Sequence, residues 1–364
     1  MARTIGRFWS LGVRALVFLY ALIRCDVFIF SGFTSFFGFR ELPLLRLLGK
    51  KVVVVFLGSD ARPPIFSGRH LDDTGAHTDP AEAYEEAIRM VSKIRKIEKY
   101  ADVVVSHTAT AQFFSREFIR FMAVGMPINS HLDASNIKQD QGRSIRILHA
   151  PSRPLAKGSF VFRKIIEELK AEGYSIDFIK LVGVPNREVL LELQKCDFVI
   201  DELYSDIPLA MFATEAAIFG KPVVVGGYYA QQYKTDNPDA HVPPALYVEP
   251  EDIKQAIRKM IVDCDFRLDL GRRAHEFIQG KWNARTVAKN YLCLINGDIP
   301  EEWKVSPEKL DYFWGWGLSK ENWRKQVAEY VAELGEDALL FDHNPKLKQR
   351  VLDEIAQTKV MHIP

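Results

Sequence analysis

Short runs of β-branched and apolar residues alternate with longer helical stretches along most of the chain. The runs at 26–30, 51–57, 102–106, 145–149, 176–181, 198–201 and 222–226 read as strands. Several are apolar at every position, as in Val52-Val53-Val54-Val55-Phe56. A strand with no polar face is one covered on both faces, the mark of a parallel sheet between helix layers. Strands separated by helix-length segments imply right-handed βαβ crossovers. The expected fold class is α/β, with two Rossmann-like doubly wound domains. Residues 137–144 are polar and follow neither period, which makes them the linker. The expected division is a reduced N-terminal domain over 1–136, a C-terminal domain over 145–296, and a helical extension over 297–364. In the second domain Phe162, Ile165, Ile166 and Leu169 recur at helical spacing before a stop at Gly173. The extension follows the turn-rich Asn296-Gly297-Asp298-Ile299-Pro300 and carries Trp303, Tyr312, Phe313, Trp314, Trp316 and Trp323.

Residues 8–39 are very apolar, but Arg14, Arg24 and Asp26 interrupt them. No uncharged run approaches the ~20 residues of a spanning helix, and no signal-peptide cleavage pattern follows. The segment parses as a helix over 8–24 and a strand over 26–30. Arg3, Arg7, Arg14 and Arg24 fall in the first 25 residues with no acid among them. Two readings stand: a basic, apolar helix resting on an anionic membrane surface, or an ordinary packing helix of an α/β domain.

Composition narrows the classes. With 364 residues, 48% hydrophobic and 26% charged, the chain can bury the cores of two domains. A net charge of +1 removes any global electrostatic case for nucleic acid. The four cysteines are scattered without a C-x-x-C pair, which excludes a disulfide framework and suits a reducing cytosol. His77, in Asp72-Asp73-Thr74-Gly75-Ala76-His77, matches no metal-ligand spacing and reads as part of a solvated loop, and His70 also falls in a loop. His107 ends the run at 102–106 and either faces a cleft or is structural. Zincin, nucleophile-elbow and P-loop motifs are absent.

The chemistry gathers after the strand at 145–149. Loops at the carboxyl ends of parallel strands build ligand sites. Here the loop holds Arg153 and Lys157-Gly158 and opens a helix. Fixed positive charge beside the unpaired first amides of a helix suits a diphosphate, and glycine lets backbone approach closely. Further on, residues 208–219 form a helix apolar on nearly every side, with Glu215 its only charge. A buried carboxylate without donors is strongly unfavourable, so Glu215 finds partners or sits at the mouth of a site, where it can accept both hydroxyls of a ribose. The structural alternative is a favourable place in the helix macrodipole.

Together, Arg153, Lys157-Gly158, the Val184-Pro185 loop, Thr214-Glu215-Ala216-Ala217 and Gly220-Lys221-Pro222-Val223-Val224 resemble the C-terminal domain of group 1 (family four) GT-B glycosyltransferases. The resemblance covers about residues 144–227 and is weaker over 248–291. It implies that Arg153, Lys157 and Gly158 hold the donor diphosphate, the two cations serving catalysis by stabilising its departure. Glu215, with Thr214 beside it, would bind the ribose, and Val184 would lie near the base. The family has two glutamates separated by seven residues; the first place is Ile207 here, with Asp206 beside it as the candidate catalytic replacement. The family's glycine-rich stretch reads Pro208-Leu209-Ala210. In the first half, Gly58, Ser59, Asp60 and Arg62 resemble a strand-end turn at the inter-domain cleft of some members, with Leu57 in place of a histidine, and are the candidate acceptor-side residues.

The activity implied is transfer of a sugar from a nucleotide-diphosphate donor to a glycan or lipid-linked acceptor, as in polysaccharide assembly. It would proceed with retention and without metal or other cofactor. The expected partners are a nucleotide sugar and that acceptor, with peripheral membrane contact and no nucleic acid. The expected location is cytoplasmic, including the inner face of the membrane. Two alternatives remain: a non-catalytic GT-B homologue that binds nucleotide or supports a partner, and a nucleotide-sugar epimerase of the same architecture.

Overall fold

The computed structural model describes residues 2–71, 79–128, 144–237 and 241–360, so the His77 loop and all of the expected linker except Ser144 lie outside the described residues. The first sheet holds β1 (Val27–Ser31), β2 (Lys51–Val55), β3 (Val103–Ser106) and β4 (Phe118–Arg120) in parallel order. The second holds β5 (Ile145–His149), β6 (Ile176–Lys180), β7 (Phe198–Ile200), β8 (Val223–Gly226) and β9 (Leu246–Val248), ordered β6-β5-β7-β8-β9 and parallel throughout. Both are Rossmann-like α/β units, as the strand pattern predicts; the second reverses its strand order at β5, whereas the first runs β1 to β4 in one direction. A tenth strand, β10 (Lys304–Val305), returns from far along the chain to pair antiparallel with β4. The strands that patterning misses are β4, β9 and β10, of two or three residues each, too short to display a period.

Three apolar clusters organise the molecule. Along β2 the valines alternate: Val52 and Val54 enter one cluster, Val53 and Val55 another. The first cluster lies under the N-terminal helix (Ala2–Arg24), the helix Pro80–Tyr100 and two C-terminal helices, Lys320–Leu334 and Pro345–Val360. Phe18 anchors the N-terminal helix there, its ring 5.2 Å from Phe36 and 5.4 Å from Phe37. The C-terminal extension is thus part of the first domain's core, with Trp323 fully buried in it.

The second cluster is shared. Val53, Val55, Val103 and Val105 of the first sheet join Val199, Val223 and Val225 of the second, together with the helix Met211–Ile218. The helix Ala284–Asn296 leans back on the first domain, where Asn290 Nδ2 donates to the Val124 carbonyl at 2.9 Å. Arg120 Nη1 donates to Asn237 Oδ1 at 2.7 Å, and the Thr108 and Tyr229 hydroxyls lie 3.1 Å apart. The third cluster covers the outer face of the second sheet with Phe162, Ile166 and Ile257.

The helix Cys264–Lys281 packs so closely on the turn before β8 that a Cβ on Gly271 would overlap the Gly220 carbonyl. Gly280, exposed on the same helix, has nothing near its missing side chain. Glycine in a helix is less favourable than alanine by roughly 0.5–1 kcal/mol. Gly280→Ala is therefore expected to stabilise by about that amount, and Gly271→Ala to destabilise despite its better helix propensity. Urea unfolding of both variants checks the opposite signs, and a stabilised Gly271→Ala would refute the close approach.

Candidate functional site

The carboxyl ends of β2, β5 and β7 face a cleft of about 270 Å³ between the two sheets. Gly58, Ser59, Arg62 and Arg69 line it from the first domain, Ser152, Arg153, Glu202 and Asp206 from the second. Sequence places Gly58, Ser59, Arg62, Arg153 and Asp206 at such a site, and the structure brings these five together.

Asp60 departs from that expectation. Its Oδ2 accepts the Leu57 amide at 2.8 Å, while its own amide donates to the Leu57 carbonyl at 2.9 Å. The carboxylate is thus spent on closing the turn after β2, and burial pushes it up from its ordinary value. It packs against Gly32, where any Cβ would collide with it. Asp60 shapes the lip of the cleft rather than lining it.

At the inner wall, Arg62 and Asp206 form a buried ion pair across the domains. Arg62 Nε donates to Asp206 Oδ2 at 3.0 Å, and Nη2 reaches the same oxygen. Both side chains are almost wholly enclosed. Burial raises the Asp206 pKa and the Arg62 guanidinium opposes the rise. Sharing one carboxylate oxygen between two guanidinium nitrogens fixes the arginine's orientation.

Lys157 corrects a second expectation. Its ammonium is not presented to the cleft: it lies 3.0 Å from Asp201 Oδ1 and 2.9 Å from Glu202 Oε1, beneath the cleft floor. Burial works against its charge, but the two carboxylates hold its pKa above the ordinary lysine range. Burial likewise raises Asp201, whereas Lys157 and its hydrogen bond keep Glu202 below its usual value in spite of burial. The helix start is also less open than expected. The amides of Lys157, Gly158 and Ser159 donate to the carbonyls of Arg153, Leu155 and Pro154 at 2.9–3.0 Å. Gly158 is required for another reason: its φ is +75° and a Cβ would strike Leu203. His149, ending β5, steadies this turn between the Ile200 carbonyl at 2.9 Å and the Ser159 hydroxyl at 2.7 Å, and burial lowers its pKa to about 4.

Glu215 is half-buried, and Asn186 Nδ2 donates to its Oε1 at 3.0 Å. Burial raises its pKa and the Asn186 bond opposes that rise. Asn186 opens the helix after the loop that holds Val184, itself half-buried, so this loop and Glu215 do meet. The charge of Glu215 also raises Asp201, so the pair lies near the cleft floor without lining the cleft. Thr214 is a third correction. It is buried and its hydroxyl is engaged with the Ala210 carbonyl at 2.9 Å, one turn back.

Sequence reasoning missed Arg69, Glu202 and Trp316. Trp316 belongs to a strap that spans both domains. Its carbonyl accepts from the Gly68 amide at 2.7 Å, its indole Nε1 donates to Glu202 Oε2 at 2.6 Å, and the next amide, of Gly317, donates to the Tyr204 carbonyl at 2.9 Å. The signal was the repeat Trp314-Gly315-Trp316-Gly317, whose glycines both have positive φ and press on residues 66–68. Arg153 Nη1 donates to the Arg69 carbonyl at 2.7 Å, so two arginines of different domains flank the cleft mouth. His107 proves structural: it is buried, packed 4.5 Å from Phe121, and pushed down to about 3 by burial and then by Arg62. Among the described residues no group of three or more His, Cys, Asp or Glu is placed to hold a metal ion.

No protein-family profile and no curated protein matches the sequence. Among solved structures the chain is similar to a point mutant of S. aureus TarM in complex with fondaparinux, α-GlcNAc-glycerol and UDP (13% identity, TM-score 0.45). That match covers 71% of this chain and 54% of the other, so the chain spans about half the length of TarM. It is also similar to Anabaena Alr3699/HepE in complex with UDP and glucose (14% identity, TM-score 0.47, 79% and 82% covered). A third is the catalytic domain of Arabidopsis thaliana starch synthase IV bound to ADP and acarbose (11% identity, TM-score 0.45, 75% and 72% covered). Likenesses this distant add nothing to the architecture, which rests on the two sheets themselves. Two Rossmann-like domains facing each other across a cleft at their strands' carboxyl ends are the GT-B fold.

Two outcomes follow from the charges. Arg62→Ala leaves Asp206 buried without its partner and is expected to destabilise by about 3–5 kcal/mol, whereas Arg62→Met with Asp206→Leu costs far less. Denaturant unfolding of the single and double variants tests this; equal losses would show that the pair is not what holds the wall. Glu215 has a folded-state pKa above its free value near 4.5. Its contribution to stability is therefore full below that value and is lost as the pH rises through the folded one. Glu215→Gln, which cannot ionise, is expected to melt higher than the parent at pH 7–8 and at the same temperature at pH 4. Thermal melts across that range check the sign.

Proposed function

We propose that this GT-B chain is a glycosyltransferase, moving a sugar from a nucleotide-diphosphate donor to a glycan or lipid-linked acceptor, with retention and without metal. The observation that carries the reading is the Asn186–Glu215 pair beside a cleft flanked by Arg69 and Arg153. A half-buried carboxylate and amide can take up a ribose, and two guanidinium groups in a recess suit a diphosphate. The leaving diphosphate gains negative charge as the glycosidic bond breaks, so fixed arginines favour the transition state over the ground state. Arg153 keeps the role that sequence suggested. Lys157 acts through Glu202 and the floor, and Arg69, half-exposed and bonded to Glu86 at 2.8 Å, supplies the second cation. Asp206 and Arg62 form the polar wall on which the sugar ring rests, and Gly58 and Ser59 border the acceptor side. Retention is carried over from the sequence resemblance alone.

A second reading has its own support. Asp206 is taken up by Arg62 and Lys157 by two acids, the pairing expected of a homologue that binds nucleotide without transferring sugar. An epimerase of the same fold differs from both in turning over without an acceptor.

A thermal-shift panel of uridine, adenosine, guanosine and thymidine diphosphates separates these. One nucleotide is expected to raise Tm, and Arg153→Ala and Glu215→Ala to remove most of that shift. Both side chains are accessible, so the variants fold, whereas Lys157→Ala would strand two buried acids. A shift untouched by either variant would overturn the site. Binding without transfer, hydrolysis or epimerisation of any matching nucleotide sugar would favour the non-catalytic reading.

A further inference from the structure

The N-terminal helix packs by one side only. Phe18, Ala21 and Leu22 face the core, while Leu16, Tyr20 and Ile23 point outward, exposed by 69%, 67% and 81%. A surface helix normally turns charge to the solvent; this one turns leucine, isoleucine and tyrosine. The patch continues past the helix end. Lys51 N donates to the Asp26 carbonyl and Lys50 Nζ bonds Asp26 Oδ1, both at 2.9 Å, which draws Leu47, 82% exposed, and Leu48 to the same end of the domain.

Beside this face an open groove of about 810 Å³ follows the free edge of β1, with Arg14 and Ala21 on one side and Ile29 and Phe33 on the other. The groove ends in the loop of Thr34 and Ser35, next to Gly32, which packs on Asp60 at the cleft lip. The far end of the groove thus lies near the turn closed by Asp60, which carries Gly58 and Ser59 to the cleft.

We propose that this face docks on an anionic lipid bilayer and that the groove receives the hydrocarbon chain of a membrane-held acceptor. The charge pattern selects the occupant. The helix carries Arg14 and Arg24, both exposed, and no acid, and Asp26 just past its end is answered by Lys50. A convex apolar ridge rimmed by cations meets acyl chains below and lipid phosphates at its level. Among the described residues no helix is long and apolar enough to cross a membrane, so the contact lies along the surface. The identity of the acceptor rests on the transferase reading; the docking does not.

Flotation of the full chain with phosphatidylcholine vesicles, and with vesicles containing phosphatidylglycerol, tests the proposal. Binding at least tenfold stronger to the anionic vesicles is expected, falling with salt. Leu16→Glu with Ile23→Glu should remove at least tenfold of it, and Ile29→Glu at the groove several-fold. Arg14→Gln with Arg24→Gln should erase the preference for anionic lipid. Val262→Glu, an exposed apolar site of the second domain, should change nothing. Circular dichroism verifies that each variant is folded. No flotation of the parent, or full flotation of the Leu16/Ile23 variant, overturns docking, and an undiminished Ile29→Glu overturns the groove's role. Dimers without lipid that the Leu16/Ile23 substitutions dissolve would overturn it too, by assigning the face to a second copy. The nucleotide-induced Tm shift of the Leu16/Ile23 variant, measured alongside, should equal that of the parent, so docking and the nucleotide site fail separately.

Discussion

A strand apolar on both faces must be covered on both faces, and β2 imposes that demand on the whole molecule. Val52 and Val54 are satisfied by the first domain's helices only with help from the two C-terminal helices. Val53 and Val55 are satisfied by sharing a core with the second sheet. Burial of a branched aliphatic side chain is worth roughly 1.5–3 kcal/mol, so parting the two sheets at this cluster would be far more unfavourable than breaking any single polar bridge. The domains therefore meet through a common interior, and the cleft is what remains where their strand ends diverge.

That shared interior explains the electrostatics of the cleft. Charges close to a low-dielectric core have to be paired, and the pairs found here cross elements: Arg62 with Asp206, Lys157 with Asp201 and Glu202, Glu202 with the Trp316 indole. Such pairs add little net stability but fix geometry. Arg69, Arg153, Asn186 and Glu215, at the edges, keep partial access to solvent, and these are the groups a ligand can reach.

The sequence made legible whatever depends on local pattern. β1 to β3 and β5 to β8 stand where their apolar runs predict, and in β2, β3, β7 and β8 burial on both faces writes itself into consecutive residues. Arg153 and Glu215 could be singled out from their surroundings, a basic βα loop and an apolar helix, whereas Arg62 and Asp206 were reached through the family resemblance. Lys157 misled because a lysine beside a glycine in a βα loop looks identical whether its partner is a phosphate or two carboxylates forty-odd residues on. Thr214 misled because a helical threonine can bond its own backbone. Arg69 was invisible for a different reason, and Trp316 showed only as part of a Trp-Gly repeat: their importance comes from chain segments meeting at long range, which no local period encodes.

The return of β10 to the edge of β4 bears on how the chain is made. While the ribosome works through the second domain, the first sheet has an uncovered edge and lacks the aromatic cluster around Trp323. At roughly 5–20 residues per second, that state lasts on the order of ten seconds or more. The amino-terminal half thus emerges first yet matures last, and in that interval its bare strand edge is the surface most exposed to chaperones and to neighbouring nascent chains.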